Sequence, residues 1–164
     1  MIGFLTNLSI PFLTNILNFL VASSGSKCLE LSTIKKSCLK RFYPDVDIKN
    51  LTKDQAKDIY KRDYWDKNKV DDLPENLKHI FFDMCVNQGR GTAVKVLQRA
   101  INGKGGKLTV DGGFGPGTRS ALAKHTPELA RVRCYRLKHY YDLVNKKPEQ
   151  ERFLFGWYRR ALEV

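Results

Sequence analysis

Residues 82–100, FDMCVNQGRGTAVKVLQRA, decide the fold, because they hold two helical patterns separated by a glycine-containing break. Before the break, apolar residues recur every three or four positions from Leu77 to Cys85, which indicates an amphipathic helix that Pro74 begins. The stretch Asn87–Gly91 interrupts this helix. A second helix restarts at Thr92, and Asn102-Gly103 supplies its C-terminal stop. Two such helices predict a mainly helical protein.

Helical patterns continue on both sides of this stretch. Upstream, Thr52 is a good N-cap with Gln55 as its capping-box partner, and it predicts a helix to about Asp66. The remaining predicted helices are Cys28–Phe42, Pro116–His125, a long helix from Thr126-Pro127, and a last helix after Pro148. Residues 105–117 are rich in glycine, and Leu108-Thr109-Val110 is the only plausible strand there. The fold class is therefore mainly α within α+β: a helical bundle with one small glycine-rich irregular or β patch.

Positive charge is concentrated in the C-terminal half of the chain. The whole chain of 164 residues carries a net charge of +12, yet residues 1–26 contain no charged side chain. Residues 77–164 hold 17 Lys and Arg against 7 Asp and Glu, which gives +10. This half should be drawn to a polyanion, and bacterial cell wall, nucleic acid and anionic membrane all qualify.

The cysteines and histidines are scattered, so the sequence predicts no metal site and no cofactor. Cys28, Cys38, Cys85 and Cys134 form no CxxC pair and have no histidine at ligand spacing. Cys85 and Cys134 lie within apolar helical patterns, which predicts buried free thiols.

Three segments stand in a fixed order along the chain. The first is residues 47–65, DIKNLTKDQAKDIYKRDYW. The second joins residues 82–89, FDMCVNQG, to residues 93–100, AVKVLQRA, and the third is residues 110–118, VDGGFGPGT. In this order and at these connection lengths, they resemble glycoside hydrolase family 108 over roughly residues 33–164. These are phage endolysins and related bacterial muramidases, whose C-terminal part is described as a predicted peptidoglycan-binding domain.

The resemblance implies a lysozyme-like fold and a protein directed at bacterial peptidoglycan. By descent it would be a muramidase, cleaving between N-acetylmuramic acid and N-acetylglucosamine. It implies a partial lysozyme-like lobe over residues 31–76 and a peptidoglycan-binding-type domain over residues 77–164, packed as one unit after an unmatched segment 1–30. The cell wall or periplasm would be its site of action, with a cytoplasmic pool before release, and we expect a monomer.

Five residues in these motifs are candidates for substrate binding. Tyr64 and Trp65 present flat amphipathic faces that either line a sugar site or anchor the core. Asn87 and Gln88, beside the glycines, either present amides to N-acetyl groups or cap the helix ends. Asp111 opens a tight turn in which it can bond nearby backbone amides, so its motif is mainly structural.

The family's catalytic motif does not occur in this sequence. Members carry a glutamate in an N-terminal Glu-Gly-Gly-Tyr motif, followed by a Gly-Gly-x-Thr-x-x-Gly-Ile segment, and glycosidic cleavage needs such a carboxylic acid. Here the first acidic residue is Glu30, a weak candidate because it lies after the expected position. Either residues 1–30 genuinely replace the catalytic segment, or the reading frame shifts near codon 30. With this sequence, the protein would be catalytically inactive because the family's glutamate is absent.

Two further interpretations remain open at this stage. The apolar residues 4–22 could act as a signal or membrane anchor, although no positive n-region precedes them. A nucleic-acid-binding module is the alternative function, because residues 131–160 interleave cations with aromatics. Helical spacing of these aromatics favours a solvated basic face over an aromatic core, so we expect peptidoglycan, and no nucleic acid, as the partner. The residues concerned are Arg131, Arg133, Tyr135, Arg136, Lys138, His139, Tyr140 and Tyr141.

Overall fold

The computed structural model describes residues 52–164, without the side chains of Lys53, Asp54, Ala56 and Lys57. The helix predicted at Cys28–Phe42, the candidate Glu30 and the apolar segment 4–22 lie outside the described residues. The described chain belongs to two compact units, one ending at Lys67 and one spanning Asn68–Val164.

The described part of the first unit is one helix that changes its winding midway. Helix α1 spans Lys53–Tyr60, and a π-helical segment, Lys61–Asp66, continues it. The predicted capping box is confirmed: the Thr52 amide donates to Gln55 Oε1 at 2.9 Å, and the Gln55 amide donates to Thr52 Oγ1 at 3.3 Å. At the other end, the Lys67 amide donates to the Arg62 carbonyl, five residues earlier, at 3.3 Å.

The second unit is helical along most of its length, which confirms the mainly α prediction. A short 3-10 turn, Val70–Asp72, precedes helix α2. The later helices are α2 (Glu75–Gln88), α3 (Arg90–Asn102), α4 (Pro116–Lys124), α5 (Leu129–Lys146) and, after a 3-10 segment (Pro148–Phe153), α6 (Leu154–Glu163). None of the described helices is long and apolar enough to cross a membrane.

The core of the second unit lies among α2, α3 and α5. Helix α3 packs against both α2 and α5, and α6 packs against α5. Because the apolar residues of each helix recur at three and four positions, they share one face and meet at the centre. The fully buried apolar residues include Leu77, Ile80, Phe81 and Met84 of α2, Val94, Leu97 and Ile101 of α3, and Val132 of α5.

A single glycine separates α2 from α3, which is a tighter break than predicted. Gly89 has φ +81° and ψ 151°, a backbone conformation that residues with a Cβ rarely adopt. Helix α3 consequently begins at Arg90 rather than at Thr92. The break between the two helices therefore consists of Gly89 alone.

The strand predicted at Leu108-Thr109-Val110 is wrong, since these residues have no regular structure and no strand occurs among residues 52–164. The physical reason is the side chain of Asn102. Its Nδ2 donates to the Leu108 carbonyl at 2.8 Å, and its Oδ1 accepts from the Leu108 amide at 2.7 Å. The amide and the carbonyl of Leu108 are therefore already hydrogen-bonded and do not join a β-ladder.

The two described cysteines are free thiols, but only one is buried as predicted. Cys85 is buried in α2, whereas Cys134 is exposed on α5. The burial prediction for Cys134 is wrong. It relied on residue type, because free cysteine is usually buried, whereas Cys134 lies on the outer side of an amphipathic helix.

Candidate functional site

The glycine-rich loop after α3 is held by one buried glutamine. Gln98 lies in the middle of α3 and is only 1% exposed. Its Nε2 donates to Asp111 Oδ1 at 2.8 Å and its Oε1 accepts from the Gly112 amide at 3.0 Å. Thr118 Oγ1 of α4 donates to the Gly113 carbonyl at 2.8 Å, so α3 and α4 fix the loop from both sides.

Asp111 closes the turn from within. Its Oδ1 also accepts from the Gly113 amide at 2.7 Å, as the sequence predicted for an aspartate at this position. The Gln98 amide, and then the Gly113 amide, hold the pKa of Asp111 below its ordinary value. The carboxylate is exposed and ionised, and Lys95 is close enough to lower the same pKa further.

This loop lies against the first turns of α3, beside the break that ends α2. A Cβ added to Gly112, which has φ +84°, would stand 3.0 Å from the Gly91 carbonyl oxygen and 3.3 Å from Lys95 Cε. Gly89, Arg90 and Gly91 are all exposed. The structure thus brings the Asp111 loop to the end of α3 where Asn87 and Gln88 precede the break.

Asn87 and Gln88 carry amide atoms without hydrogen-bond partners. Asn87 is 6% exposed, and its Nδ2 donates back to the Asp83 carbonyl at 2.7 Å. Its Oδ1, and both Oε1 and Nε2 of Gln88, are shielded from solvent and have no hydrogen-bond partner in the described part of the chain. Each such unpaired buried atom costs about 1–3 kcal/mol, so the hydrogen-bonding groups at the break are left unsatisfied at a cost in stability.

Asp83 is the centre of a buried ionic cluster that the sequence did not predict. Asp83 and Arg136 are both 0% exposed, and Arg136 Nη2 donates to Asp83 Oδ2 at 2.5 Å. Arg160 of α6 donates from Nη2 to Asp83 Oδ1, also at 2.5 Å. One carboxylate of α2 therefore binds α5 and α6.

Aromatic rings extend this cluster towards the surface. Arg136 lies over the Tyr140 ring at 5.9 Å, Tyr140 stacks on Trp157 at 5.1 Å, and Trp157 stacks on Phe153 at 5.8 Å. Burial is the main reason that the pKa of Tyr140 is raised. These contacts are packing interactions that fix α6 on α5.

Arg136 and Tyr140 were part of the basic, aromatic stretch considered for nucleic acid. Their burial removes them from any surface, because long side chains that face a core cannot contact phosphates or bases. The cluster did leave a sequence signal: Asp83, Arg136 and Gln98 are polar residues inside apolar helical stripes. Such residues are rarely buried unless they are paired.

Tyr64 and Trp65 lie in the π-helical segment of the first unit, and both are half-buried. The Tyr64 ring stands 5.7 Å from that of Tyr60. Short π-helical segments occur frequently at functional sites. The assignment of these two residues to substrate binding stays a prediction, as do those of Asn87, Gln88 and Asp111.

Among residues 52–164, no group of three or more His, Cys, Asp or Glu side chains is arranged to hold a metal ion.

Comparison with known families gives two matches in sequence order. The profile described as Glycosyl hydrolase 108 matches residues 26–89, and that described as Predicted Peptidoglycan domain matches residues 92–162. Residues 26–89 are therefore similar to glycosyl hydrolase family 108. The C-terminal part of the chain is a predicted peptidoglycan domain, and the function is peptidoglycan-directed.

One solved structure and the curated proteins complete the comparison. SagA of Brucella abortus is 26% identical, with a TM-score of 0.51 over 77% of this chain and 75% of the SagA chain. No curated protein matches the chain. Nothing in these comparisons favours the nucleic-acid-binding alternative.

The boundary between the two matches coincides with the break between α2 and α3. The glycosyl hydrolase 108 segment begins at residue 26, before the predicted start near Thr33, and it includes Glu30, Tyr64, Trp65, Asn87 and Gln88. By packing, however, α2 belongs to the unit that begins at Asn68. The predicted division at residues 30 and 76 stays a prediction.

Proposed function

We propose that the second unit binds peptidoglycan at the surface formed by the α2–α3 break and the Asp111 loop. The observation that carries this proposal is the peptidoglycan-domain match, which covers α3 to α6 almost completely. The unsatisfied amides of Asn87 and Gln88, and the rigid loop built on Gln98, support this location within the unit.

The chemistry of the break suits an acetamido group. Such a group carries one N–H donor and one carbonyl acceptor, and the Gln88 amide offers the complementary pair. We propose that the sugar enters beside the exposed Gly89-Arg90-Gly91 stretch and that the half-buried Gln88 side chain turns outward to bond it, with Asn87 Oδ1 as a second acceptor once Gln88 has moved. Each buried polar group that gains a partner recovers about 1–3 kcal/mol.

Retention on purified, insoluble peptidoglycan tests this proposal. We expect the double variant N87A/Q88A to bind more weakly than the native chain, because it removes the unpaired amides. The matched control is N145A/Q150A, which removes one asparagine and one glutamine from the end of α5 and the following 3-10 segment. Equal retention of both variants would contradict the proposed location, and no retention of the native chain would contradict peptidoglycan binding itself.

Muramidase activity is a second candidate function, favoured by the glycosyl hydrolase 108 match over residues 26–89, and Glu30 is the first carboxylic acid in that segment. Cleavage between N-acetylmuramic acid and N-acetylglucosamine would use this carboxyl as the acid, with Tyr64 and Trp65 beside the sugar. Clearing of a cell-wall suspension, with release of reducing ends, measures the activity. We expect E30Q to abolish it if Glu30 is the acid. A native chain that binds walls without clearing them would leave binding as the function.

Several properties of the protein extend this proposal to the cell. We propose that it acts in the cell wall or periplasm as a monomer, with residues 4–22 as a candidate for membrane association. Sedimentation of the purified chain measures its mass, and fractionation of cells, with and without residues 4–22, measures membrane association. A dimer, or a membrane fraction that survives the deletion, would contradict these statements.

A further inference from the structure

The cations of the second unit separate into paired and unpaired groups. Lys104 and Arg131 share Glu128, Arg119 pairs with Asp72, and Arg159 pairs with Glu163. Other exposed cations have no ion-pair partner in the described part of the chain, and four of them lie on α3 and α5: Arg90, Lys95, Arg99 and Lys146. The last three form the α3–α5 cationic patch.

Antiparallel packing of α3 and α5 brings the patch together. At one end, Arg131 Nη1 of α5 donates to the carbonyl of Gly103, which follows α3, at 3.1 Å. One turn further back along α3, Arg99 is close enough to His139 and Asp142 to shift the pKa of both. Lys146 acts on the same two residues from the last turn of α5.

Lys95 lengthens this patch along α3. It precedes Arg99 by four residues, and side chains with that spacing are neighbours on one helical face. Lys95 also acts on Asp111, so the patch runs from α5 to the loop that borders the proposed binding site.

The patch contains an excess of positive charge. Two carboxylates border it: Asp142, which Lys138 binds at 2.9 Å, and Asp111, which lies beside Lys95. His139 adds little charge near neutral pH, because its pKa is lowered, mainly by burial and then by the charge of Arg99. Counting Lys138, four cations of the described residues therefore face two carboxylates, and this excess favours an anionic ligand.

We propose that the α3–α5 cationic patch binds carboxylates of the peptide stems of peptidoglycan, as a second contact besides the acetamido site. The inference rests on the proposed peptidoglycan binding. All three cations fall within the matched peptidoglycan domain, residues 92–162. A guanidinium presents paired donors that match a carboxylate, and two lysines add point charges for neighbouring stems.

The experiment compares charge-reversed chains on peptidoglycan freed of phosphate-containing polymers. The variant R99E/K146E changes two patch cations, and K107E/K124E changes two exposed cations elsewhere by the same net charge. Lys124 and Lys146 both lie in the last turn of a helix, so the two variants match in their effect on helix ends. R99Q/K146Q removes the charge without reversing it, in case the reversal disturbs folding.

We expect R99E/K146E to raise the apparent dissociation constant roughly tenfold relative to K107E/K124E, because repulsion replaces two exposed ionic interactions with the ligand. We also expect R99Q/K146Q to give a smaller rise, and amidation of the stem carboxyls to weaken the native chain to the level of the variant. Equal binding by patch and control variants overturns the proposal. So does native binding that survives amidation, or that needs the phosphate-containing polymers.

Failure of this inference differs from failure of the proposed function. A native chain that is not retained on peptidoglycan at all overturns both. Retention of the native chain, together with weaker binding by N87A/Q88A but not by R99E/K146E, overturns only the patch. Circular dichroism of each variant establishes that it is folded before its binding is compared.

Discussion

Replacement of Asp83 by asparagine tests the buried ionic cluster directly. In the native chain, Asp83 Oδ2 accepts from Arg136 at 2.5 Å, and both residues are 0% exposed. D83N keeps the shape of the side chain but removes the charge, which leaves the Arg136 guanidinium buried without a carboxylate partner among residues 52–164. Breaking a buried pair in this way costs about 3–5 kcal/mol.

Urea unfolding at neutral pH, followed by circular dichroism, measures the change in the free energy of unfolding. D142N is the matched control, because Asp142 forms an exposed pair with Lys138 at 2.9 Å, and such pairs contribute about 0–1 kcal/mol. A D83N variant that is no less stable than D142N would refute the role of the cluster. Restoring stability by D83L/R136M/R160M, which packs apolar groups in place of all three charges, would show that the destabilisation comes from the unpaired charges.

Three further predictions concern the loop and the thiols. G112A should destabilise the chain by about 1–2 kcal/mol, because Gly112 has φ +84° and the added Cβ would lie 3.0 Å from the Gly91 carbonyl oxygen. The control G117A, within α4, should be neutral or slightly stabilising, and thermal unfolding compares the two variants. Brief alkylation followed by peptide mapping should label exposed Cys134 before Cys85, because burial raises the pKa of the Cys85 thiol to about 12; equal labelling would contradict this burial. Because the pKa of Asp111 is lower in the folded chain than its ordinary value of 3.8, ionised Asp111 should stabilise the fold at neutral pH. This stabilisation should be lost as the pH falls below 3.8 and through the pKa of the folded state. D111N should therefore flatten the acid part of the stability curve, and an unchanged slope would count against the Gln98 contact.

The helices could be predicted from the sequence because their signals are local. The Thr52–Gln55 capping box, the stop after Asn102 and the helix that begins at Pro116 each depend on residues within a few positions of one another. Asp111 also closed its own turn as predicted, through a residue two positions away. Spacing and chain geometry decide such features before tertiary packing acts on them.

Features that depend on distant partners could not be predicted in the same way. Leu108-Thr109-Val110 has the composition of a strand, yet Asn102 takes both backbone groups of Leu108. Arg136 looked like a member of a basic surface, yet it meets Asp83, which lies 53 residues earlier in the chain. A polar residue inside an apolar helical stripe indicates a buried pair, but residue type and spacing do not indicate which distant residue is its partner.

The physical boundary of the peptidoglycan-binding part differs from its boundary in sequence comparison. The peptidoglycan-domain match begins at residue 92, but α2, which precedes it, supplies Asp83 to Arg136 and Arg160 and contributes Ile80, Phe81 and Met84 to the core. Each such apolar side chain contributes about 1.5–3 kcal/mol on burial, and a whole domain is stable by only about 5–15 kcal/mol. A fragment of residues 68–164 should therefore unfold cooperatively in urea, whereas a fragment of residues 92–164 should show no transition. A cooperative transition of similar free energy in the shorter fragment would refute this, and would mean that α2 belongs functionally and physically to the segment before it.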